Sequence, residues 1–152
     1  MGKIIYTTET GIAIIHPTGE LPIQRVMEKD VPSEYAHTAY IVDDDVIPSD
    51  RTFRDAWQFD FDVTDGKLTH AITENLDKAK EIQKERLRIE RKLLLEEQDV
   101  LFMKALETGS DTKNILEEKQ RLRDITKLVD DVKDTIELRK ISCSTGKINA
   151  DN

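Results

Sequence analysis

Eight aspartates fall between Asp43 and Asp65, and clustered carboxylates are the side chains that hold hard divalent cations. Among them, Asp60-Phe-Asp-Val-Thr-Asp-Gly66 has the flavour of a calcium loop. Its third Asp and its Gly each arrive one residue late, and Ala71 stands where an EF-hand needs a bidentate Glu. Asp60 and Asp62 also alternate with Phe59, Phe61 and Val63, as the solvent face of a strand would, so no metal is expected. His16, His37 and His70 are scattered, and no two of them stand at helical ligand spacing. Cys143 is the only cysteine, which excludes an internal disulfide and a thiolate-built metal site. No phosphate-cradling glycine loop, Ser-His-Asp arrangement or distinct carboxylate pair stands out. The residues predict neither catalysis nor a cofactor.

Two further groups carry chemistry of another kind. Arg51-Thr-Phe-Arg-Asp-Ala-Trp57 sets two arginines beside a Phe and the only Trp. One reading is a domain corner, with Phe53 and Trp57 buried and Arg51 and Arg54 covering them by stacking or by pairing with Asp50 and Asp55. The other is a docking point at which the same four residues anchor a partner. Between Asp77 and Lys92, seven cations against four carboxylates leave +3, which reads as a solvated face of mixed charge. The whole chain carries −8, and that disfavours nucleic acid, whose binding depends on Lys and Arg replacing counterions.

These residues need elements to hold them. Lys3-Ile-Ile-Tyr-Thr and Gly11-Ile-Ala-Ile-Ile-His are β-rich runs flanking Thr8-Glu9-Thr10, a first hairpin. Ile23 to Lys29 suits a short helix that ends before Val31-Pro32. Thr38 to Val42 reads as a third strand. Trp57, Phe59, Phe61 and Val63 then alternate with polar residues, and Asp65-Gly66 is a favoured two-residue hairpin turn. That turn sets Val63 opposite Leu68, Phe61 opposite His70 and Phe59 opposite Ile72. Residues 1–72 are thus expected to form a small mixed α/β domain.

The remainder is helical. Leu76 to Glu107 runs 32 residues without Gly or Pro, and Thr112 to Ile141 another 30 after a break at Thr108-Gly109-Ser110-Asp111. On the first helix, Ile82, Ile89, Leu93 and Val100 make one apolar stripe, and Leu76, Leu87, Leu94 and Leu101 an adjacent one. Two stripes can meet two neighbours. On the second, Ile115, Leu122, Val129 and Ile136 repeat every seven residues, with Ile125 and Val132 between them, and these six form a candidate helix seam. β-Branched residues at both core positions favour trimers or larger bundles over a parallel dimer, while the short linker suits an antiparallel hairpin within one chain. Residues 73–141 are therefore read as a two-helix coiled-coil or bundle region, and 142–152 as a loose polar tail. The fold class expected is α+β. No apolar run approaches the roughly 20 residues needed to cross a bilayer, and no secretory leader is recognised.

Ile47-Pro-Ser-Asp-Arg-Thr-Phe-Arg-Asp-Ala-Trp57 resembles the P-x-D-R-T-F-R-x-A-W segment of small proteins encoded among the tail and tail-fibre genes of bacteriophages and prophages. In that family an Arg-x-x-Arg helix, an Asp-x-x-Phe/Met-x-Ala-Leu-Glu segment and a Gln-x-Leu-Arg-Asp stretch follow in order. The counterparts here are Arg88-Ile-Glu-Arg91, Asp99-Val-Leu-Phe-Met-Lys-Ala-Leu-Glu107 and Gln120-Arg-Leu-Arg-Asp124, and Lys29-Asp-Val-Pro32 fits upstream. The similarity spans about residues 29–126. This chain departs from it in carrying its heptad on through Val129, Val132 and Ile136. The resemblance implies a virion structural protein of the tail region, made in the bacterial cytoplasm, with other phage structural proteins as partners. A homo-oligomer, most simply a trimer, is expected, with neither membrane nor nucleic acid as a partner. An assembly chaperone absent from the finished particle is the alternative.

Overall fold

The computed structural model describes the backbone of residues 2–64 and 67–145, and the side chains of 2–60 and 72–145. The chain is α+β and separates into two compact units, Met1–Asn75 and Leu76–Asn152.

In the first unit, β1 (Lys3–Thr8) pairs antiparallel with β2 (Gly11–Ile15), placing Ile5 opposite Ile14. On its other edge β1 pairs with the short β3 (Tyr40–Val42), so β1 is central. The strand expected from Thr38 starts later, because Ser33–Thr38 turns as a 3-10 helix. Thr38 ends that helix: its hydroxyl donates to the Tyr35 carbonyl at 2.8 Å and accepts from the Thr7 N–H at 3.1 Å. A short polar side chain that captures nearby backbone groups in this way competes with strand pairing.

Helix α1 (Ile23–Asp30) follows Pro22, whose carbonyl accepts from the Arg25 and Val26 N–H groups. It covers one face of the sheet. Val26 joins Ile4, Val31 and Ala39 in a core edged by Tyr6, Ile15, Ile23, Met27 and Tyr35, with the Tyr6 and Tyr35 rings stacked at 5.9 Å. Adjacent strand residues point to opposite faces, yet Ile4 and Ile5 are both fully buried, so the sheet is covered on both sides.

Strands β4 (Trp57–Thr64) and β5 (Lys67–Glu74) form a separate hairpin with the register read from the sequence: Phe59 opposite Ile72, Phe61 opposite His70, Val63 opposite Leu68. The turn residues Asp65 and Gly66 lie outside the described residues. Phe59 reaches the ring of Tyr40 at 5.3 Å.

The second unit opens with α2 (Leu76–Thr108), 33 residues and so about 50 Å long at 1.5 Å per residue. Gly109 closes it with φ +66, its N–H returning to the Leu106 carbonyl and that of Ser110 to Ala105. This is a glycine-terminated helix end, as the break in the pattern suggested. Asp111 then accepts from the Lys113 N–H at 2.9 Å, leading into the next helix.

The single long helix expected over Thr112–Ile141 is not what forms. It is cut into α3 (Lys113–Asp124), α4 (Lys127–Asp130) and α5 (Thr135–Arg139). The second cut has a local cause. Asp134 adopts extended backbone and accepts from the Glu137 N–H at 2.7 Å, making a fresh helix start. The heptad hid this cap.

Candidate functional site

The Arg51–Trp57 segment is built by local hydrogen bonds. Asp50 accepts from both the Thr52 N–H (2.9 Å) and its hydroxyl (2.5 Å), folding the chain before a short 3-10 turn at Arg54–Ala56. That turn and the Asn75 N–H, which donates to the Ala56 carbonyl at 2.7 Å, fix both ends of the β4–β5 hairpin stem. Phe53 is 0 % and Trp57 1 % exposed, whereas Arg51 and Arg54 are in solvent. Trp57 is thus an internal wedge. Its Nε1 is buried without a hydrogen-bond partner. Arg54 and Asp55 border a hollow of about 250 Å³ shared with Thr8, Thr10, Gly11 and Ile12. The aromatics of the motif hold the fold, while its arginines and Asp55 face outward.

In the helical unit, α3 to α5 fold back along α2. Lys119 pairs with Asp99 at 2.5 Å, Arg91 donates to the Arg123 carbonyl at 2.8 Å, and Lys84 pairs with Asp130 at 2.7 Å. Residue numbers rise on one side as they fall on the other, so the arrangement is an antiparallel hairpin within one chain. Lys119 also sits 5.2 Å over the Phe102 ring. The Lys84–Asp130 pair lowers the Asp130 pKa and raises that of Lys84, each mainly through their hydrogen bond.

The six seam residues divide. Leu122, Ile125 and Val129 are buried, Ile115 and Val132 partly so, and Ile136 is 67 % exposed. The Asp134 cap resets the helical phase, so Leu138 takes the inward place that the heptad gave to Ile136. Leu122, Ile125 and Val129 are thus taken up inside their own unit, while Ile136 stays open to solvent.

The chain then reverses and fills the groove between α2 and α3. Gln83 donates to the Ile141 carbonyl at 2.6 Å, and the Cys143 thiol lies 3.7 Å from the Leu87 carbonyl. Arg121 holds this return. Its guanidinium grips Glu118 with two bonds of 2.7 and 2.8 Å and donates to the carbonyls of Cys143 (2.8 Å) and Thr145 (2.9 Å). Residues 142–145 are therefore packed, not loose as expected; 146–152 lie outside the described residues. Burial, then Glu90, pushes the Cys143 thiol up to about 11, which makes it a packing residue rather than a nucleophile at neutral pH.

Neither stripe of α2 is wholly covered or wholly open, since Ile82 is half-buried and Leu101 is exposed. Leu87 is 1 % exposed and Leu94 half-buried against the unit's own helices, but Ile89, Leu93 and Val100 are 65, 64 and 54 % exposed. Met103 and Leu106 are exposed as well, but lie about 60° and 120° round the helix from that line. The two stripes lie roughly 120° apart around a 3.6-residue helix, too far for one neighbour to cover both.

Among the described residues, no group of three or more His, Cys, Asp or Glu side chains converges as a metal site requires, and Asp60 of the supposed calcium loop accepts from the Thr73 hydroxyl at 2.8 Å. No helix among them is long and apolar enough to cross a membrane. Set against known proteins, the chain matches no family model, no curated protein and no solved structure.

Proposed function

We propose that this chain is a non-enzymatic structural protein of a bacteriophage virion, placed in the tail or tail-fibre region and acting by protein–protein docking. It is made in the bacterial cytoplasm and retained in the particle, and its partners are other phage structural proteins. The ordered motifs from Lys29 to Asp124 support the phage origin. The observation that carries the docking role is the uncovered stripe Ile89, Leu93 and Val100 on a helix whose opposite side is fixed by its own unit. Exposed apolar side chains aligned along one element mark interaction sites more often than single scattered ones do. Fully burying each would contribute about 1.5–3 kcal/mol before ordering costs. Mass spectrometry of purified particles tests the role. Stoichiometric presence supports it; absence from particles, with abundance in infected cells, replaces it with an assembly chaperone.

A further inference from the structure

We propose that residues 141–145 form a strap that opens as a body from the groove between α2 and α3 while those helices stay folded, with Arg121 as its clasp. The strap carries its own turn. The Thr145 N–H donates to the Ser142 carbonyl at 2.9 Å, and the Ser142 N–H to the Thr145 hydroxyl at 2.9 Å. The Ser144 N–H donates to the Ser142 hydroxyl at 3.3 Å. Those bonds travel with the segment, so these N–H groups stay paired when it moves.

What holds the strap down is different in kind. Helix side chains reach its main-chain carbonyls: Gln83 donates to that of Ile141 at 2.6 Å, and Arg121 to those of Cys143 and Thr145 at 2.8 and 2.9 Å. A carbonyl released from such a bond meets water, so the net cost of each exchange is modest. Of the strap's side chains only Ile141 and Cys143 are buried, the thiol lying against the Leu87 carbonyl with Glu90 beside it. A short segment near the chain end with so little buried apolar surface belongs to the part of a fold that opens first.

Arg121 sets how often it opens. Glu118 takes the Arg121 Nε and one Nη2 hydrogen in a two-bond fork of 2.8 and 2.7 Å, which aims the remaining guanidinium donors at the strap. Both residues belong to α3, so the clasp stays in place when the strap leaves. Opening bares the Cys143 thiol, 1 % exposed when closed, and frees Gln83 and Arg121 donors that grip main chain rather than any one side chain. The closed form hides that seat and the open form presents it, whether or not the exposed residues of α2 have a partner.

Cys143 is the only cysteine, so its alkylation by iodoacetamide in the full chain reads the opening directly. In urea below the unfolding transition the wild-type rate should be nearly flat, because opening so short a segment exposes little surface. Arg121→Lys should raise that rate about tenfold or more, since an ammonium lacks the fork but keeps the positive charge beside the thiol. Hydrogen exchange of α2 and α3 in the same variant, followed by mass spectrometry, should match the parent. A wild-type rate that climbs with urea along the slope of global unfolding overturns the proposal, because the thiol then reacts only in the unfolded chain. So does a rate unchanged by Arg121→Lys, or exchange that rises throughout α2 and α3 in step with the alkylation.

Discussion

At the scale of single residues, the seam of six resolves into positions with different physical duties. Leu122 is fully buried in the hairpin and Ile136 two-thirds exposed, although the heptad makes them equivalent. Leu122→Ala should destabilise by about 2–5 kcal/mol, through lost transfer energy and a residual cavity. Ile136→Ala should fall within about 0.5 kcal/mol of the parent, as surface changes do. Urea unfolding of both variants checks the contrast, and equal losses would restore the continuous seam. The Lys84–Asp130 pair adds a pH dependence. Asp130 titrates below its unfolded value, so its contribution is present above the ordinary carboxylate pKa of about 3.9 and is lost as pH falls through the folded value. Lys84 is raised, so its share persists to high pH and disappears only above the ordinary lysine range. Asp130→Asn should therefore flatten the fall in stability below about pH 4 while leaving the slope between pH 6 and 8 unchanged, read from urea midpoints across pH.

At the scale of elements, the helix ends carry the decisive chemistry. Gly109 terminates α2 at φ +66, where a Cβ is unwelcome even though the structure leaves open space around it. Gly109→Ala should cost about 1–2 kcal/mol from backbone strain alone, visible as a lower thermal midpoint by calorimetry. An unchanged midpoint would mean that the turn adopts another conformation. The β4–β5 register was legible because period-two alternation and the Asp-Gly turn agree, and a slip of one residue would reverse every side chain. The cut before α5 was also legible, since Asp134 three residues ahead of Glu137 is a helix-start pattern. The seven-residue repeat runs straight across it and conceals it.

At the scale of the whole molecule, the hairpin covers Leu87 and part of Leu94 on α2 and leaves Ile89, Leu93 and Val100 to solvent. Leu93→Ala/Val100→Ala should leave the thermal stability within about 1 kcal/mol, because neither side chain is packed and Ala is a strong helix former. The same variant, supplied in place of the parent during infection, should be depleted from purified particles. Normal incorporation alongside a normal melt would remove α2 from the docking surface.

By itself, the order of residue types determined the α+β division, the β4–β5 pairing, the span of α2 and its two apolar stripes. Each of these follows from periodicity and turn chemistry, which act over a few residues. How far each stripe would be covered, which seam residues would turn inward and how the chain after Ile141 would be held were decided only in three dimensions. Those outcomes depend on contacts between residues far apart in the chain, such as Arg121 with the Thr145 carbonyl and Gln83 with that of Ile141. A repeat pattern states that a face is apolar; the path of the backbone chooses what the face meets.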